Sequence, residues 1–199
     1  MAYDIFISYR RTGGYETAKH LYDLLIRDGY QVSFDVDTLR RCEFDVELLK
    51  RIDNCTDFII VLNEGVFDRC FDPNIDREHD WVRKELAHAL EKDKNIIPIM
   101  LPNFTFPNNL PDDIAKISKK NAPKYDQYYF DNFYRILKEI FLKTKPNDYK
   151  LNQLFTKRII ESIKENCEPQ NVKFYRAIEK TGDTWDTVSR YCDEGKFTN

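Results

Sequence analysis

Trp81 and Glu85 stand four residues apart in the stretch HDWVRKELAHAL, and together they are the side chains best suited to chemistry in this chain. Successive residues of an α-helix turn by about 100°, so Trp81, Glu85 and His88 share one stripe while Val82, Leu86 and Ala89 share another. The second stripe suffices to anchor the helix, which leaves an indole and a carboxylate one turn apart. An aromatic wall beside a carboxylate suits a flat cationic ring joined to a sugar, such as nicotinamide and its ribose. The structural alternative is that Trp81 simply packs and Glu85 pairs with Arg83, Lys84 or solvent, an arrangement worth little. No Ser/His/Asp set or metal-ligand set accompanies His88, which reads as a surface histidine.

A second candidate lies in SYRRTGG, residues 8–14. Arg10 and Arg11 beside a Gly-Gly turn at a helix start could hold an anion, because free backbone N–H groups, the helix dipole and guanidinium forks all favour phosphate oxygens. Read alone, the motif equally describes two surface charges and a turn.

The elements that would position these residues alternate. YDIFIS at 3–8 is a short β-rich run, followed by a glycine-bearing turn and apolar residues at Ala18, Leu21, Tyr22 and Leu25 at helical spacing. Gly29 closes that helix, YQVSF forms a second strand, DVDTLRRCE a charged loop, and Phe44, Leu48 and Ile52 a second helical stripe. DFIIVL is apolar throughout, as befits a strand covered on both faces. A polar loop over 63–80 leads to the Trp81 helix. NIIPIML is a fourth strand with Pro98 marking an edge or bulge, APKYDQ is expected to add a short fifth, and 130–141 has the spacing of a packed helix. Such alternation implies a parallel sheet with helices on both sides. The stretch TKPNDYK interrupts the pattern, so a main domain over 1–145 is expected, with a short helical C-terminal extension over 146–199.

Composition sets the outer bounds. A chain of 199 residues, 42% hydrophobic, can bury one good core. Net charge is −3 with a pI near 5.7, and basic residues are scattered, which argues against a nucleic-acid partner. Apolar runs such as FIIVL fall far short of the ~20 residues a membrane helix needs, and the start MAYDIFISYRR is a poor signal peptide. Five widely spaced cysteines, Cys42, Cys55, Cys70, Cys167 and Cys192, suit a reducing compartment. A cytoplasmic location without membrane association follows as an expectation.

Several of these segments, taken in order, resemble one family, the TIR (Toll/interleukin receptor) domain. YDIFISYRR is similar to its first box, FDVDTLRRCEF to its BB loop, and DWVRKELAHALEKDKNIIPI to the helix and strand that carry the catalytic glutamate of its enzymatic members. The likeness extends over roughly residues 1–145 and is strongest to the NAD-cleaving branch, which includes bacterial antiphage-defence proteins and an animal NAD hydrolase of axon degeneration. It implies a flavodoxin-like three-layer fold with a central parallel sheet of about five strands.

The resemblance also implies cleavage of the nicotinamide–ribose bond of NAD, with NAD as substrate, no further cofactor and no metal. By position, Glu85 matches the catalytic glutamate, Trp81 the residue bordering nicotinamide, Arg10 and Arg11 the arginines near the nucleotide, and Phe44 an aromatic ending the BB loop. Arg40 and Cys42 stand where the animal enzyme has an acidic residue and a glycine, and the common proline of that loop is absent; Arg40 is included as a nucleotide contact. The family further implies self-association through TIR contacts, and a cyclic or conjugated ADP-ribose product sensed by a separate effector protein in antiviral defence. The alternative is a non-enzymatic adaptor that acts through homotypic assembly. A phosphoryl-accepting receiver domain shares the topology but needs acidic residues where this chain has SYRR and VLNEG.

Overall fold

The computed structural model describes residues 3–34, 44–75 and 79–146, with the side chains of 44–46 left aside. By internal contact the chain divides into two compact units, Met1–Ile26 with Tyr30–Lys145, and Arg27–Gly29 with Pro146–Asn199. The first holds the sheet and the candidate residues. The expected C-terminal extension lies outside the described residues, as do Arg40, Cys42, Cys167 and Cys192.

Four parallel strands form the sheet: β1 (Ile5–Tyr9), β2 (Val32–Phe34), β3 (Asp57–Leu62) and β4 (Asn95–Met100), in the order β2-β1-β3-β4. Between them run α1 (Arg11–Arg27), α2 (Phe44–Asn54) and α3 (Trp81–Glu91), and α4 (Phe130–Ile136) follows β4. The period-2 alternation of β1 sends Ile5 and Ile7 into one core and Phe6 into the other. With Ile5 and Ile7 pack Ala18, Leu21 and Leu25 of α1 and Phe133 and Tyr134 of α4; with Phe6 pack Leu48 and Ile52 of α2 and Val82, Leu86 and Ala89 of α3. The result is a three-layer α/β fold of flavodoxin-like strand order. All six residues of β3 are buried, as its unbroken apolar run requires.

Three local features differ from the sequence reading. APKYDQ forms no strand, so the sheet has four strands among the described residues rather than about five. Pro123 has no N–H to give a ladder, and the Tyr125 ring is drawn edge-on to Phe133, with centroids 5.1 Å apart. The helix over 130–141 changes character at Leu137, where a π turn over Leu137–Phe141 closes with Leu142 N donating to Leu137 O at 3.0 Å. The polar loop 63–80 is anchored by Val66 and Phe67, both buried, and carries a 3-10 turn over Asp68–Phe71.

α1 does not begin as a clean helix. Thr12 (φ −75°, ψ 116°) and Gly13 (φ 80°, ψ −15°) leave the helical region, and Gly14 N donates to Arg10 O at 3.0 Å. A Cβ on Gly13 would meet Asn63 Nδ2 at 2.7 Å, while that amide donates to Thr12 O and Glu64 O. The Gly-Gly turn therefore lets the end of β3 touch the start of α1. Replacing Gly13 by Ala combines a left-handed φ with this overlap and should cost about 1–3 kcal/mol, read as a fall in Tm.

At the opposite end of the sheet, the wholly buried Asp57 carboxylate accepts from Asn95 Nδ2 (2.6 Å), Lys143 N (3.1 Å) and Thr144 N (2.9 Å). One side chain thus ties the segment after the π turn to the start of β3. Asp57→Ala strands these donors, and urea unfolding of the full chain should show a loss of about 3 kcal/mol or more.

Candidate functional site

In a parallel sheet whose connections lead outward on both sides of one strand pair, the crevice lies beyond the carboxyl ends at that switch point. Here the pair is β1 and β3. Ser8 and Tyr9 end β1 with Arg10 just beyond it, Asn63 follows β3, and α3 brings Glu85 to the same end.

The central contact is short. Ser8 Oγ donates to Glu85 Oε2 at 2.6 Å, with Ser8 1% and Glu85 8% exposed. Burying a carboxylate is costly unless hydrogen bonds replace its water, and the hydroxyl at the end of β1 provides one such bond. This changes the expected stripe pattern of α3: Val82, Glu85, Leu86, Ala87 and Ala89 are all buried. α3 lies against the end of β1, so a face broader than Val82, Leu86 and Ala89 is covered, and the Glu85 side turns inward.

Trp81 is half-buried, packed against the edge of the α2–α3 core, with Lys84 Nζ 5.0 Å from its ring centroid. The indole therefore serves both readings of the sequence, packing on one side and forming part of the surface on the other. His88 places Nε2 2.8 Å from Asp53 Oδ1 on α2, a role outside the candidate site. Arg83 forks onto Asp113 through Nε at 3.1 Å and Nη2 at 3.1 Å.

Arg10 and Arg11 separate. Arg11 is exposed at the first position of α1. The Arg10 guanidinium is turned inward: Nη2 donates to Asp80 Oδ1 and to Val66 O, each at 2.8 Å, and Nε donates to Val66 O at 3.2 Å. Asp80 is 1% exposed and is the N-cap of α3, its backbone oxygen accepting from Lys84 N at 2.9 Å. Phe44 is the first residue of α2; its side chain lies outside the described residues.

Sequence reasoning missed Ser8 and Asp80. Both left a signal: Ser8 is a polar residue at the buried-face register of β1, and Asp80 is an N-cap residue type directly before the first residue of a periodic stretch.

The described thiols offer no nucleophile at neutral pH. Burial pushes the Cys55 thiol up to about 11; burial and then the Asp80 carboxylate, to which Cys70 Sγ donates at 3.4 Å, push Cys70 up to about 12. Among the described residues no group of three or more His, Cys, Asp or Glu could hold a metal ion, and no helix is long and apolar enough to cross a membrane. Of the two buried carboxylates at this end of the sheet, Asp80 is taken up by Arg10, while Glu85 is held by Ser8 one helical turn from Trp81.

Residues 5–137 match the TIR domain family. Among curated proteins the chain is similar to NAD(+) hydrolase tir-1 of Caenorhabditis elegans, 44% identical over 131 residues, covering 64% of this chain and 13% of that protein. It is also similar to NAD(+) hydrolase SARM1 of Danio rerio, 33% identical over 156 residues (75% of this chain, 22% of that protein), and to NAD(+) hydrolase sarm1 of Drosophila melanogaster, 35% identical over 130 residues (64% and 9%). The chain spans less than a quarter of the length of each of these relatives. With the matched segment running from β1 into the π turn after α4, and so containing the whole sheet and every described candidate residue, the chain belongs to the TIR domain family.

Proposed function

We propose that this chain cleaves the bond between nicotinamide and ribose in NAD, with Glu85 as its catalytic carboxylate. The observation that carries the reading is the Ser8–Glu85 hydrogen bond, a buried acid held at the switch point one helical turn from Trp81. The names of the relatives, all NAD(+) hydrolases, support it.

The leaving group explains why one carboxylate is enough. Nicotinamide in NAD is cationic and departs neutral, so nothing has to protonate it, whereas ordinary glycosidases protonate an oxygen and employ two carboxyl groups. As the bond breaks, positive charge moves onto the ribose. Glu85 stabilises that charge electrostatically and accepts hydrogen bonds from the ribose hydroxyls; a carboxylate has about four acceptor sites, so the Ser8 bond is compatible with them. Ser8 fixes the orientation in advance, which limits the reorganisation required in the transition state. Trp81 borders the nicotinamide and excludes water. Arg11, Arg40 and Phe44 are assigned to the nucleotide.

The finer part of the reading comes from the resemblance to the enzymatic branch. The ribosyl cation is captured by a nucleophile of the same molecule or by another acceptor, giving a cyclic or conjugated ADP-ribose that a separate effector protein senses in antiviral defence. Self-association of the chain through TIR contacts accompanies activity. Mass spectrometry of products from purified full chain and NAD tests both levels: a cyclic or conjugated product supports the whole, ADP-ribose alone supports only cleavage, and NAD left intact by assembled protein favours the homotypic adaptor.

Glu85→Gln retains the shape and an acceptor for Ser8 but removes the charge. NAD cleavage should fall by about 10²-fold or more while Tm stays within a few degrees, measured by nicotinamide release and thermal unfolding. Ser8→Ala should lower kcat by about tenfold with little change in KM, because it loosens the acid without touching bound substrate.

A further inference from the structure

Arg10 and Asp80 form a second tie between β1 and α3. Ser8 and Arg10 are two residues apart and so share a side of the extended chain at the end of β1. Ser8 holds Glu85 in the second turn of α3, and Arg10 holds Asp80 at its N-cap. The same guanidinium takes the Val66 carbonyl through two nitrogens, and Cys70 donates to the other oxygen of Asp80. The 3-10 turn over Asp68–Phe71 is thereby flanked by the Arg10–Val66 bonds and tied to Asp80 through Cys70. The pair is well shielded, with side-chain exposures of 15% for Arg10 and 1% for Asp80.

We infer that Arg10 and Asp80 are positioning residues for the NAD-cleaving site, setting the axial position of α3 and hence where Glu85 and Trp81 stand, and that Arg10 is not a contact for the nucleotide phosphates. An arginine is required rather than a lysine because two acceptors at different angles, Val66 O and Asp80 Oδ1, are met by one planar fork. Both ties begin on the same strand. A shift of α3 along its axis must therefore break the Asp80 contact as well as the Glu85 contact, and the brace resists small displacements that a single hydrogen bond would tolerate. A misplacement of about 1 Å can cost on the order of 10²-fold in rate.

The inference rests on the proposed activity, so its test has one arm that needs no turnover. Full-length Arg10→Gln, Arg10→Lys, Asp80→Asn and the Arg10→Gln/Asp80→Asn double variant are compared with wild type in NAD cleavage and in amide hydrogen exchange. For a brace, Arg10→Gln and Asp80→Asn each lower kcat by about 10- to 100-fold with KM within about threefold, as loss of orientation rather than of binding requires. The double variant is then no worse than about threefold below the poorer single variant, because the two groups act as one unit. In exchange, amides of residues 84–88, the first with intrahelical acceptors, lose protection by about tenfold or more while those of β1 and β3 retain theirs. Arg10→Lys, which retains the charge, falls between wild type and Arg10→Gln, and it is the variant read if Gln at this position does not fold.

Three results overturn the inference: a rise in KM above about tenfold for Arg10→Gln at unchanged kcat with Asp80→Asn neutral, which marks a substrate contact; additive losses in the double variant; or unaltered exchange over 84–88. If wild type leaves NAD intact, the proposed activity fails, and the exchange arm alone decides whether the brace exists.

Discussion

The hydrogen bond from Ser8 to Glu85 is the constraint on which the rest of the site depends. A carboxylate with 8% of its surface exposed has lost most of its water, and it can stay there only if donors are brought to it. The donor comes from β1 and the acid from α3, 77 residues away in sequence. Only the sheet order, with β1 inside and β3 at its side, brings the end of one to the second turn of the other. The other bonds of α3 fit this requirement. Asp80 fixes its start, Arg83 forks onto Asp113, and His88 meets Asp53 of α2. A helix held on several sides keeps its acid where it is.

The proposed cleavage of NAD asks little of the site. Burial pushes the Cys55 thiol up, and burial followed by the neighbouring Asp80 carboxylate pushes up that of Cys70. A leaving group that begins with a positive charge removes the need for a second acid. In that proposed reaction one oriented carboxylate and an indole suffice, because the glycosyl bond ionises once the charge on the sugar is stabilised. The two arginines that look equivalent in SYRR are not equivalent in space: one faces solvent at the head of α1, and the other lies folded against a loop carbonyl and a helix cap.

Periodicity carried most of the fold. DFIIVL became β3 over the residues its pattern marks, and the apolar spacing of Ala18, Leu21 and Leu25 became the buried face of α1. Strand alternation with helices required parallel pairing, which the register of β1 with β2 and β3, and of β3 with β4, displays. The reading failed where local pattern competed with long-range packing. APKYDQ looks extended but gives its tyrosine to the α4 cluster instead of its backbone to a sheet edge, and the helix begun by α4 loosens into a π turn as Leu137 is taken into the core.

Residue type and short spacing were enough for the parallel α/β order, for Trp81 and Glu85 as the unusual pair on one helix, and for the likeness to TIR domains. Tertiary structure alone decided that Glu85 is turned inward, that Ser8 is its donor and that Arg10 belongs to Asp80. Those facts join residues separated by 70 or more positions, and helical periodicity gives the angle between neighbouring side chains but not the direction in which the whole helix faces.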